Sequence, residues 1–153
     1  MADSRFVYVM YIRTTTDKVW QALMEPEFTR KIWYETWHEC DWKPGATWKL
    51  MIPDGRVADS GQVLEIVPNK RLVLTWRKEF VPELHEEGHS RMTYELEQIG
   101  DSVKLTLIHE IERPDSKLIQ AVSGGWPVIL SSLKSLLETG EALELTSKWP
   151  KGM

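Results

Sequence analysis

The side chains of this 153-residue chain best suited to metal or nucleophilic chemistry are four histidines and one cysteine. His85-Glu86-Glu87-Gly88-His89 spells HExxH. That pattern binds zinc when both imidazoles project from one face of a helix and the glutamate reaches a metal-bound water. The surroundings argue against it here. Pro82 precedes the motif, Gly88 lies inside it, and an alternating segment starts at Met92. The longer form of the signature needs glycine and histidine where Met92 and Glu95 stand. The motif is expected to be part of a hairpin loop, with no metal. His38, Cys40 and Asp41 form a second cluster. On a strand, residues i and i+2 share a face, so His38 could serve Cys40 as a base. No oxyanion-hole motif accompanies them, and a lone cysteine commonly acts as a small buried apolar group. No catalytic residue and no cofactor are expected.

His109 differs from these. It is in phase with Val103, Leu105 and Leu107 and should point inward. It is either a core histidine satisfied by a hydrogen bond or a polar group at the base of a ligand cavity.

The elements that would position these residues follow from periodicity. Phe6 to Ile12 reads as a strand. Thr14 to Asp17 offers helix-capping chemistry ahead of Val19, Trp20, Leu23 and Met24. Pro26 ends that helix or opens a second short one carrying Phe28, Ile32 and Trp33. Alternating strands follow around Trp48–Ile52, Val57–Val67, Leu72–Arg77, Met92–Leu96 and Val103–His109. Pro44-Gly45, Pro53-Asp54-Gly55, Pro68-Asn69 and Gly100-Asp101 supply the turns. Gly61 inside its strand marks a bulge or a close approach. After that the period changes to helical: Trp126, Ile129, Leu130, Leu133, Leu136 and Leu137 share one stripe. Pro127 suits the first turn of this helix, and Gly140 its end. Short connections between strands imply an antiparallel meander with the long helix packed across its apolar face.

Composition sets the outer limits. Apolar residues make up 42% and charged residues 27%, with nine glycines and eight prolines, which excludes disorder and coiled coil. The net charge of −4 gives no footprint for nucleic acid. The apolar N-terminal run is too short for a signal-peptide core, and no run is long enough to span a membrane. With a single cysteine, the chain is expected to be cytoplasmic. The most unusual count is eight tryptophans beside three phenylalanines.

Several stretches resemble the activator of heat-shock-protein-90 ATPase homologue family of the START-like superfamily. Asp17 to Leu23 with Pro26-Glu27 and Trp33 is similar to the family's first helix. Gly61 to Pro68 and Arg71 to Trp76 resemble its central hairpin, Leu105 to His109 its last strand, and Gly124-Gly125-Trp126-Pro127 the start of its closing helix. The resemblance covers residues 6–140 of one START-like domain, 1–153. It leaves the tail 141–153 without a counterpart. It implies an α+β helix-grip fold: a curved antiparallel sheet of six to seven strands wrapped round a long C-terminal helix, with two short helices after the first strand. It further implies an internal cavity for a small hydrophobic or aromatic ligand. Trp33, Trp37, Trp48, Trp76, Met92, Tyr94, His109, Trp126 and Leu130 would line it or, as packed core, fill the space themselves. Other readings left open by the resemblance are a protein-interaction module acting on a chaperone ATPase, an enzyme of cyclase or hydrolase type, and a homodimer.

Overall fold

A computed structural model describes residues 3–151. The chain runs β1 (Ser4–Ile12), α1 (Thr16–Met24), α2 (Pro26–Ile32), β2 (Trp37–Glu39), β3 (Thr47–Met51), β4 (Val57–Val67), β5 (Arg71–Lys78), α3 (Pro82–His85), β6 (Ser90–Ile99), β7 (Ser102–Ile111) and α4 (Lys117–Thr139), ending in a 3-10 turn at Glu144–Thr146. All seven strands form one antiparallel sheet in the order β1-β7-β6-β5-β4-β3-β2. This is the helix-grip α+β architecture. The curved sheet wraps α4, and α1 and α2 fill the connection from β1 to β2.

Period-2 patterning carries the sheet. On β7, Val103, Leu105, Leu107, His109 and Ile111 are buried while the residues between them are not. Residues Ile129, Leu130, Leu133 and Leu136 of α4 are buried against this inner face. β2, only three residues long, is too short to show an alternation of its own in the sequence.

The start of α4 differs from the sequence reading. The helix begins at Lys117, and Pro127 lies in its interior. The Ser116 side chain caps it, accepting from the Ile119 N–H at 3.1 Å. The Glu87 carboxylate, across the structure, takes the Lys117 N–H at 2.8 Å and the Leu118 N–H at 3.4 Å. A carboxylate there satisfies orphan donors and opposes the positive end of the helix dipole. Leu118 and Ile119 are buried and extend the stripe upstream of Trp126, so packing carries the helix through the proline. Gly140 does end the helix, at φ 90°.

Gly61 marks a close approach. A Cβ there would lie 1.9 Å from the Thr75 carbonyl oxygen and 2.8 Å from Trp48 Nε1. The Trp48 indole reaches across β4 and donates to that Thr75 carbonyl at 2.9 Å. Glycine is what lets the indole through. Gly61→Ala is therefore expected to destabilise the fold by about 3 kcal/mol, since backbone rather than a mobile side chain obstructs the new methyl. Urea denaturation checks this, and an unchanged midpoint would contradict the packing described.

Candidate ligand cleft

Five of the eight tryptophans meet in one aromatic cluster. Trp76 is its hub, with ring centroids 4.6 Å from Trp48, 5.9 Å from Trp33 and 5.6 Å from Trp126. Trp42 joins through His38 at 5.6 Å, and Tyr94 packs edge-on to Trp126 at 5.9 Å. Offset and edge-to-face pairs of this kind add cohesion beyond their buried area.

The polar atoms of the cluster are paired in a definite order. An indole N–H can only donate, so Trp126 Nε1, 3.0 Å from His109 Nδ1, makes that nitrogen the acceptor. The proton of His109 then sits on Nε2 and is given to Ser90 Oγ at 2.7 Å. The Ser90 hydroxyl donates in turn to the Trp76 carbonyl at 3.0 Å. Both nitrogens of His109 are thus occupied by protein. Burial, with Lys78 nearby, lowers its pKa to about 3 and holds it neutral.

A cleft of about 310 Å³ opens beside the cluster, between β3–β5 and α4. Trp33, Trp76 and Trp126 form one wall. Leu118, Val122, Gly125 and Ile129 of α4 form another. Phe80, Trp149 and Pro150 stand at the rim, with Phe80 and Trp149 packed together at 5.5 Å. The tail that carries Trp149 folds back on its own chain. Thr146 is fully buried, its hydroxyl shares a 2.7 Å bond with Ser132, and its carbonyl accepts the Tyr34 N–H at 2.8 Å.

One end of the cleft is polar. Asp59, 2% exposed, accepts from Trp76 Nε1 at 2.9 Å and lies 3.5 Å from Lys78 Nζ. Burial pushes its carboxyl up, against Lys78 and the Trp76 N–H, which favour the ionised form. Sequence reasoning missed both residues. Asp59 is in phase with the inward Gly61 and Val63, and Lys78 with the inward Leu74 and Trp76. Two charged residues on the apolar phase were the available signal.

Of the residues the sequence assigned to a cavity, Trp33, Trp76 and Trp126 line the cleft. Trp48, Met92, Tyr94, His109 and Leu130 are buried in the core behind it. Trp37 is half-buried elsewhere, with the Arg30 guanidinium 4.5 Å over its ring. The HExxH segment is not a continuous helix that would present both histidines on one face. α3 stops at His85, Gly88 turns at φ 81°, and Glu87 serves as the α4 cap. Among the described residues no three metal-ligating side chains converge. His38 and Cys40 do not form an activated pair. The thiol sulfur accepts the Trp42 N–H at 3.2 Å, and burial pushes the thiol up. His38 Nδ1 is buried without a partner.

A curved antiparallel sheet gripping a long C-terminal helix, with a cleft between them, defines a START-like, helix-grip domain. Residues 13–138 match the family described as Activator of Hsp90 ATPase homolog 1-like protein, and the chain belongs to that family. Solved structures share the fold. Protein MLL2253 from Mesorhizobium loti is 23% identical, with a TM-score of 0.75 over 88% of this chain and 97% of that one. The Aha1 dimer from Colwellia psychrerythraea is 19% identical, with a TM-score of 0.73 over 91% and 99%. CalU16 from Micromonospora echinospora is 20% identical, with a TM-score of 0.70 over 89% and 77%. At these identities the likeness is one of fold alone. No functionally curated protein matches the sequence. Among the described residues, no helix is long and apolar enough to cross a membrane.

Two histidines buried in neutral form make stability depend on pH. Burial lowers His38 to about 4 and His109 to about 3, from an ordinary 6.5. The unfolded chain takes up these protons near pH 6.5, whereas the folded chain resists until about 4 and 3. Their contribution is whole above the ordinary value and is lost as pH falls toward the folded values. Stability should drop by about 1.4 kcal/mol per pH unit for each histidine below about pH 6. Urea midpoints measured between about pH 7 and 5 test this, and a flat profile would contradict the neutral, buried state of both rings.

Proposed function

We propose that this domain binds a small, flat, largely apolar ligand in the cleft between β3–β5 and α4. The observation that carries this reading is an aromatic-walled space of about 310 Å³ that the tryptophans leave open. Its volume lies at the small end of ligand pockets, which suits one or two fused rings rather than a sterol. Apolar burial would supply the affinity, at about 25 cal/mol per Å² before the costs of association. The indole N–H groups of Trp48, Trp76 and Trp126 are already spent on protein acceptors. Orientation therefore falls to the polar end at Asp59 and Lys78.

Gly125 offers a clean test. A Cβ added there meets nothing within 4 Å, although the residue lines the cleft. Gly125→Leu should fill the space and keep the fold, since leucine also favours helix over glycine. Titration of wild type with 2-naphthol and with 2-methylnaphthalene, followed by tryptophan fluorescence, should saturate for at least one probe. Gly125→Leu should lose that response while melting at the wild-type temperature or above. No saturable response in wild type would sink the reading, and so would full binding by Gly125→Leu.

A second reading, self-association, has its own observation. The sheet-edge strand β1 exposes Val7, Val9 and Tyr11 in one strip, 44–52% accessible. That strip suits a second copy of the chain. Light scattering after size exclusion should give twice 17.8 kDa, and Val9→Lys should halve the mass. A wild-type mass of one chain would dispose of it.

A further inference from the structure

The polar end of the cleft specifies the chemistry of the ligand, an inference that rests on the ligand-binding reading above. Asp59 and Lys78 are direct cross-strand partners on β4 and β5. Asp59 is buried, while the Lys78 side chain is 26% exposed, and a buried carboxylate is a net cost unless its hydrogen-bonding capacity is used. Here that capacity is only partly used. Oδ1 of Asp59 takes the Trp76 N–H at 2.9 Å and the Lys78 ammonium at 3.5 Å. Among the described residues no donor reaches Oδ2. The Lys78 ammonium has three protons, with that one carboxylate oxygen and the Phe80 ring, at 5.2 Å, as its partners. Both residues line the cleft. An unfilled acceptor and an unfilled cationic donor thus face the same small space, beside the Trp76 wall.

We propose that this pair clamps a hydroxyl group carried on an aromatic ring. The hydroxyl donates its proton to Oδ2 of Asp59, and its oxygen accepts from Nζ of Lys78. A carboxylate ligand would meet repulsion from Asp59, and an ammonium ligand from Lys78. The pair as a whole is neutral, so a neutral group that donates and accepts at one atom meets no net opposing charge. The ring bearing it would lie against Trp33, Trp76 and Trp126. The hydroxyl's hydrogen bond would also favour the ionised carboxylate, opposing the burial that pushes Asp59 up.

A matched pair of probes tests this directly, because 2-naphthol and 2-methylnaphthalene differ by hydroxyl against methyl. A hydroxyl gives up hydration on entering an apolar space, so without a polar clamp the methyl compound binds better. The wild-type protein, titrated by tryptophan fluorescence, should bind 2-naphthol about tenfold more tightly, as one charge-assisted hydrogen bond allows. Lys78→Met and Asp59→Asn should each bring that ratio down to about threefold or less while 2-methylnaphthalene binds as before. Equal affinity for the two probes in wild type, or a ratio unchanged in both variants, would overturn the clamp and leave the ligand-binding reading standing. Saturable binding of neither probe would overturn that reading itself.

Discussion

The hydrogen-bond relay from Trp126 through His109 and Ser90 to Trp76 is the constraint on which the rest of the structure depends. A neutral imidazole buried on the inner face of a sheet must have both nitrogens partnered, or it leaves a buried polar group unsatisfied at a cost of about 1–3 kcal/mol. His109 finds its partners on three different elements: Trp126 on α4, Ser90 on β6 and, beyond the serine, Trp76 on β5. The relay fixes how far along the sheet α4 sits and how it is rotated. It therefore also fixes two of the three indoles that wall the cleft, Trp76 and Trp126. From Trp76 the chain of bonds continues through the indole N–H to Asp59 and from there to Lys78. The helix position and the polar end of the cleft are tied into one connected set.

The surplus of indole makes sense against this network. An indole presents a broad apolar face and one donor, so it fills space and tolerates burial only where an acceptor waits. Trp48, Trp76 and Trp126 each have such an acceptor, on β5, β4 and β7 respectively. Phenylalanine in these positions would pack but would leave the Thr75 carbonyl, Asp59 and His109 each without the N–H that now serves it. The three phenylalanines lie outside the cluster, and Phe80 reaches the cleft only at its rim.

Much of this was legible in the sequence, and the rest was hidden for identifiable reasons. Period-2 alternation exposed six of the strands, the inward phase of His109 and the close approach at Gly61, because these are local signals. The match to the family supplied the wrapping of the sheet round α4. The start of α4 was obscured because a proline with two preceding glycines looks like a helix beginning. The cap that sets the true start comes from Glu87, distant in sequence. Asp59 and Lys78 were visible as charged residues in apolar phase, but their pairing depends on the β4–β5 register, which is irregular between Val63 and Glu65. Core and cleft were left unseparated: Tyr94, Met92 and Leu130 are inward-facing and buried, and inward phase alone does not distinguish the two.

The tail is where this chain departs furthest from what its family resemblance implies. The match ends at residue 138, yet the rim of the cleft is completed by Trp149 and Pro150. The tail also holds a turn in an unusual conformation. Tyr34 and Glu35 have φ of 54° and 64°, a region costly for residues with a side chain. Such a turn persists where its surroundings over-determine it. Here the Thr146 carbonyl accepts the Tyr34 N–H, and the Thr146 hydroxyl donates to the Lys31 carbonyl, bracketing Trp33 from both sides. Trp33 and Tyr34 are cleft residues. The same short segment that lines part of the space thus also braces one of its walls. The size of the opening is set jointly by the family-matched region and by residues beyond it.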